Sequence, residues 1–162
     1  MQIMERIITT PDGLNLWSES FGDPRAPCIL LVMGALNQGI FWPDGFCAQL
    51  ASAGFHVVRY DHRDTGLSSK VPYLRRPYDL SAMARDAVAI LDGYGVATAC
   101  IVGLSMGGYI VFAMMRRHPA LAAGRTVGRV PGSPSPGAGR RSSRRFEHLA
   151  RVLPCAGRDL GS

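Results

Sequence analysis

The segment Ala99-Cys100-Ile101-Val102-Gly103-Leu104-Ser105-Met106-Gly107-Gly108 sets a serine between glycines two residues before and two residues after it, where an apolar run turns into a helical pattern. Gly-x-Ser-x-Gly at a strand-to-helix turn is the nucleophile-elbow arrangement. A serine hydroxyl is a poor nucleophile, so the chemistry needs it exposed on a tight turn, and small neighbours leave room for the bend and for the helix packed behind it. The chemistry served is acyl transfer, with Ser105 as the nucleophile. The helix starting at Met106 aims its free N–H groups and its dipole at the place where an acyl oxyanion forms, so the Met106 N–H is one expected donor. A second donor is expected from the loop after the first parallel strand. Met33-Gly34-Ala35-Leu36-Asn37 stands there, and the Ala35 N–H is the candidate by position.

In a chain with 19 glycines the same pattern also reads as an ordinary turn, and Met33-Gly34 as a plain strand end. The surrounding elements favour the elbow. Ile3 to Thr9 and Leu14 to Ser20 flank Pro11-Asp12-Gly13 and read as an antiparallel hairpin. Cys28 to Met33 is a continuous apolar run ending in Gly34, the pattern of a strand buried on both faces of a sheet. Pro43 opens a helix to about Ser52, with Phe46, Leu50 and Ala53 on one face and Gly54 as its stop. Phe55 to Tyr60 is the next strand, and a polar loop from Asp61 to Ser69 follows. Ser81 is the expected cap of a helix on which Met83, Ala87, Ile90 and Leu91 recur at helical spacing. The strand at Ala99 to Val102 and the helix from Met106 to Arg117 complete the order. A hairpin followed by alternating strands and helices argues an α/β fold, a mostly parallel sheet with helices on both faces.

Composition divides the chain at about residue 123. Residues 1–123 hold ten Lys+Arg against ten Asp+Glu; residues 124–162 hold eight arginines against Glu147 and Asp159, so the whole net charge of +6 comes from the tail. That tail is rich in Arg, Gly, Pro and Ser and reads as disordered; only Arg144 to Leu153, with Phe146, Leu149, Val152 and Leu153 on one face, has helical potential. The expected organisation is a partial hydrolytic domain over 1–123 and a tail over 124–162. Nucleic-acid binding by the tail is disfavoured, because it lacks lysines and interleaved aromatics. Cys28, Cys47, Cys100 and Cys155 have no metal-ligand or CxxC spacing and are expected as free thiols. No run of about 18 apolar residues and no signal-peptide pattern occurs, which makes a cytoplasmic protein without a membrane segment the expectation.

Leu31-Val32-Met33-Gly34, the run from Arg59-Tyr60-Asp61-His62-Arg63 to Ser68, and Val102-Gly103-Leu104-Ser105-Met106-Gly107 together resemble the α/β-hydrolase superfamily, and within it most closely the aclacinomycin methylesterase-like esterases. The resemblance covers about residues 3–119, with nothing beyond Pro119. It implies a Ser-His-Asp acyl-transfer mechanism without metal or cofactor, and a largely structural role for the loop after Tyr60. Asp61 and Arg63 are accordingly expected to satisfy loop backbone groups and each other, and His62 to pack. His56 and His118 are expected as surface or cap residues, and Trp17 and Trp42 as core or pocket wall.

The superfamily order places the acid and the histidine after the serine. After Ser105 the acids are Glu147 and Asp159, the histidines His118 and His148, and none ends a recognisable strand. Adjacent Glu147 and His148 point in different directions on a helix. The strand at Ala99 is expected to present an unpaired apolar edge and to make the product poorly soluble. The reading is therefore a serine hydrolase acting on a carboxylic ester of a small or medium hydrophobic molecule, weak or inactive in this chain. Alternatives are a dead fragment with a basic tail, or thioesterase, peptidase, haloperoxidase or C–C hydrolase activity on the same fold. Epoxide hydrolases and dehalogenases use a carboxylate at the elbow and are disfavoured by Ser105. One lysine against 17 arginines and the abrupt change after Pro119 suggest a reading-frame shift in a G+C-rich gene. Sequencing the DNA across codons 110 to 165 is expected to show, in another frame, an acidic residue at a strand end and a later histidine; absence from all three frames rules the shift out.

Overall fold

The computed structural model describes residues 3–118 and 127–129. Strands β1 (Ile3–Thr9) and β2 (Asn15–Phe21) form the expected hairpin, antiparallel with Ile3 opposite Phe21 and Thr9 opposite Asn15. There follow β3 (Cys28–Val32), a short 3-10 turn at Gly39–Phe41, α1 (Asp44–Ser52) and β4 (His56–Tyr60). Then come α2 (Leu80–Gly93), β5 (Ala99–Leu104), α3 (Met106–Arg117) and β6 (Val127–Arg129). The sheet runs β1-β2-β4-β3-β5-β6, antiparallel through the first three strands and parallel from β4 onward.

Alternation along the central strand divides the core in two. Cys28, Leu30 and Val32 of β3 join Val58, Met83, Ala87, Ile90, Ile110 and Met114 beneath α2 and α3. Ile29 and Leu31 point the other way and pack with Phe21, Val57, Cys47 and Leu50 beneath α1. All five β3 residues are buried, as its uninterrupted apolar run requires. Each such aliphatic side chain removed from water stabilises the fold by roughly 1.5–3 kcal/mol.

Several local expectations change. Asp79, not Ser81, caps α2: its carboxylate accepts the Ala82 N–H at 2.9 Å while Ser81 already lies inside the first turn. The buried face of α1 carries Cys47 and Leu50, with Phe46 partly buried, whereas Ala53 is the exposed C-cap. The strand β5 is not an open edge, because Val102, Gly103 and Leu104 pair in parallel with Val127, Gly128 and Arg129. That pairing lies within the segment expected to lack order. The remaining tail expectations, with Cys155, Glu147 and His148, fall outside the described residues. His56 is buried, not a surface or cap residue: it opens β4 opposite Cys28, edge-on to Tyr94. Burial first, and Arg6 second, hold its ring below the ordinary imidazole value. Cys28 and Cys47 are buried free thiols, pushed up by burial to about 12 and about 11.

One buried ion pair fixes the loop after β4 to α2. Arg63 donates from Nε and a terminal nitrogen to the two oxygens of Asp86, both at 2.7 Å, and both side chains are buried. Burial pushes the Asp86 carboxyl up while Arg63 pulls it back, and the hydrogen bonds to Asp86 raise Arg63 in turn. Asp86→Ala removes the bidentate partner of a buried guanidinium, leaving Asp12 at 3.5 Å as its carboxylate neighbour, and is expected to cost about 3 kcal/mol in urea unfolding. Asp23→Ala, which removes the exposed pair with Arg25, is expected to leave the midpoint where it is. Equal midpoints for both variants contradict a structural role for the Arg63–Asp86 pair.

Candidate active site

Ser105 occupies the single residue between the end of β5 and the start of α3, with φ 55° and ψ −120°. A positive φ at a non-glycine residue is a strained arrangement that surrounding packing must hold, at a cost of order 1–3 kcal/mol. Close contacts on both sides supply that packing. A Cβ on Gly103 would stand 2.5 Å from the Gly107 carbonyl group, and a Cβ on Gly107 only 2.2 Å from the Val32 oxygen and 2.7 Å from the Met33 oxygen. The first turn of α3 therefore rests directly on the backbone at the end of β3. Although Ser105 stands at the helix N-cap, its hydroxyl caps nothing and makes no hydrogen bond to another described residue.

The loop after β3 forms the opposing wall. A Cβ placed on Gly34 would lie 3.3 Å from the Ser105 Cβ and 3.8 Å from its Oγ, so this loop touches the elbow. Ala35 follows at once, exposed, and its N–H has no acceptor among the described residues. The Met106 N–H, first in α3, has no partner within the helix. Met106 thus follows Ser105 directly, and Gly34, the residue before Ala35, lies against it. Leu36, next in the loop, is held at φ 61° with its side chain 93% exposed.

Of the polar loop after β4, each residue goes a separate way. Asp61 accepts the Gly39 N–H at 2.6 Å and the Leu67 N–H at 2.9 Å, which matches the expectation that it satisfies loop backbone. Arg63 does not pair with Asp61; the bidentate geometry of Asp86 takes it instead. His62 is buried with Nε2 2.9 Å from the Met33 carbonyl oxygen. Burial holds its ring below the ordinary imidazole value, so it is neutral at neutral pH. With Nε2 taken by Met33 and Nδ1 buried without a hydrogen-bond partner, the ring makes no bond to Ser105. His118 is the C-cap of α3, roughly 18 Å along the helix from the elbow at 1.5 Å per residue.

Beside the elbow a cleft of about 400 Å³ opens between Met33, Phe41, Trp42, Pro43, Phe46, Gln49 and Leu104. Leu104 directly precedes Ser105, and Trp42 stacks on Phe46 with ring centroids 5.6 Å apart. Trp42 is thus pocket wall and the buried Trp17 core. Arg59 holds this wall in place by donating to Glu19, Asp44 and the Trp42 carbonyl. Among the described residues no three His, Cys, Asp or Glu side chains converge as a metal site, and no helix is long and apolar enough to cross a membrane.

A protein-family model described as the alpha/beta hydrolase fold matches residues 27–126. This chain belongs to the α/β-hydrolase fold family. The match runs past Pro119, where the sequence resemblance was expected to end. Rhodomycin D methylesterase from Streptomyces peucetius is 46% identical over 105 residues, 65% of this chain and 35% of that protein. Epoxide hydrolase A from Mycobacterium tuberculosis is 32% identical over 130 residues, 80% of this chain and 39% of that protein. Among solved structures, epoxide hydrolase A from Mycobacterium thermoresistibile superposes with a TM-score of 0.70 at 26% identity, over 91% of this chain and 45% of that one. The chain spans about a third of the length of the methylesterase relatives it matches.

Sequence reasoning missed Asp86 and the aromatic lining at Phe41 and Phe46. Asp86 left a signal: it sits among Met83, Ala87 and Ile90 on the buried face of α2, where an acid needs a cationic partner. Gly107→Ala is expected to lower stability by about 1–3 kcal/mol or more, because its Cβ meets backbone that cannot rotate away. Gly45→Ala, in α1 with nothing within 4 Å, is expected to be neutral or stabilising by up to about 1 kcal/mol. Chemical denaturation of both variants checks the contrast, and a harmless Gly107→Ala contradicts the close approach.

Proposed function

We propose that this chain carries the serine site of a carboxylic-ester hydrolase acting on a small or medium hydrophobic substrate. Ser105 attacks the carbonyl, and the Met106 and Ala35 amides hold the oxyanion. One observation carries the reading: the Ser105 hydroxyl stands uncommitted on a strained turn, against a loop whose Ala35 N–H is also uncommitted. The apolar cleft beside Leu104 supports a hydrophobic group on the substrate. The name of the methylesterase relative supports an ester as the class.

Epoxide hydrolases among the relatives raise a second reading. Members of that class resemble this architecture but carry a carboxylate at the elbow, and residue 105 is serine. That substitution removes the group which would form their covalent intermediate, so we favour the ester reading.

A lone elbow serine is a weak nucleophile without a base. None of the described histidines is placed to act as one. His56 is buried at the opposite end of β4, His62 is tied to Met33, and His118 is at the far end of α3. We infer slow turnover for this chain. With p-nitrophenyl butyrate, the expected result is slow hydrolysis without a burst, reduced to background by Ser105→Ala. An unchanged rate in Ser105→Ala overturns the nucleophile assignment; a full burst that vanishes in that variant overturns only the slow turnover.

A further inference from the structure

The loop that carries Ala35 is left without a strand neighbour. The β3 ladder ends at Leu31 against β4 and at Val32 against β5. Beyond that point the chain must still hold Leu36 in the left-handed region, which disfavours a leucine by roughly 1–2 kcal/mol. An exposed leucine contributes no buried contact to offset this. The anchors are therefore at the two ends of the loop, and both come from adjacent residues of the segment after β4. At the far end, Asp61 accepts the Gly39 N–H at 2.6 Å. At the near end, the His62 ring meets the Met33 carbonyl at 2.9 Å.

The chemistry of the near anchor is determined. A carbonyl oxygen can only accept, so His62 Nε2 carries the hydrogen, and in a neutral ring Nδ1 is then bare. Nδ1 is buried and has no hydrogen-bond partner among the described residues, in keeping with that tautomer. The ring stands edge-on to Tyr60 with centroids 5.1 Å apart, which fixes its plane. On its other side the Met33 oxygen faces the first turn of α3 at Gly107, so the peptide leading into Gly34 is held between ring and helix.

We propose that His62 is a positioning residue for the acyl-transfer site: its Nε2–H bond to the Met33 carbonyl sets the course of the Met33–Gly34–Ala35 backbone and holds the Ala35 amide toward Ser105. The inference rests on the assignment of Ser105 and Ala35 above. Asp61 closes the other end of the same clamp.

The test compares the full chain with His62→Phe, which keeps a ring against Tyr60 but has no donor, and His62→Gln, whose amide can donate from a similar reach. Two readouts are taken: 15N order parameters of Gly34 and Ala35, and binding of phenylboronic acid followed by amide shifts. In the adduct boron accepts a lone pair of Ser105 Oγ, the hydroxyl proton passes to solvent, and a boronate oxygen occupies the oxyanion position. The expected result is an Ala35 order parameter near ~0.85 in the wild type and His62→Gln, and below ~0.6 in His62→Phe. Boronate affinity falls about tenfold or more in His62→Phe and is restored by His62→Gln, with similar melting temperatures for both variants. Unchanged order and affinity in His62→Phe overturn the proposal. So does an equal loss in both variants that follows a loss of melting temperature, which marks a role in folding alone. If Ser105→Ala binds boronate as the wild type does, the nucleophile assignment fails; the order parameters then decide the clamp by themselves, and no change at Ala35 in His62→Phe overturns it.

Discussion

The geometry of the elbow depends on how closely the start of α3 can approach the end of β3. With no side chain at Gly107, helix backbone rests on the Val32 and Met33 carbonyls, and Gly103 allows the same approach from β5. Only one residue is then left to reverse the chain between strand and helix, and that residue is Ser105, at φ 55°. The strain persists because the elements on either side are pinned by burial: Leu30, Val32 and Ile101 in the sheet, Ile110, Val111 and Met114 on the helix. The same contact turns the loop at Gly34 against the serine. Packing, strain and the contact of Gly34 with Ser105 are consequences of one steric allowance.

A second organising device is the run that leaves β4. Arg59 reaches Glu19 and Asp44, Asp61 takes two loop amides, His62 takes the Met33 carbonyl and Arg63 takes Asp86. Buried charges this dense are tolerated only where each has a partner, as Arg59, Asp61 and Arg63 do. Each partner comes from a different part of the chain: β2, the loops after β3 and β4, the start of α1, and α2. The run therefore works as a polar hub beneath the site, and its hydrogen bonds fix loops that no ladder reaches. Trp42, one wall of the cleft, is held by the same hub through its carbonyl.

The relatives show how much the fold leaves open. An epoxide hydrolase shares this arrangement of strands and helices with the chain, while a methylesterase is the more similar of the two in sequence. A fold places a site at the ends of its parallel strands, while the residues grafted there decide the chemistry.

Read along the chain, the residues already specify the elements and the elbow. Continuous apolar runs marked β3 and β5 as strands apolar on both faces, and the glycines about Ser105 marked the turn, because these signals are local: side-chain period, turn residues and small neighbours act within a few positions. The approach of the loop at Gly34 to Ser105 was legible only as an expectation of position, since some 70 residues separate them. The polar partners were chosen in three dimensions. Arg63 selects Asp86 across a turn of chain that no spacing rule covers, His56 is buried although its strand begins with a polar residue, and Asp79 displaces Ser81 as a cap by backbone angle. Strand β5 gained a neighbour from a stretch whose composition argued against strands, because an exposed ladder of amides and carbonyls recruits even a three-residue partner. Hydrogen bonds and ion pairs are short-ranged in space and unconstrained in sequence, so their choice waits on the packing that brings the groups together.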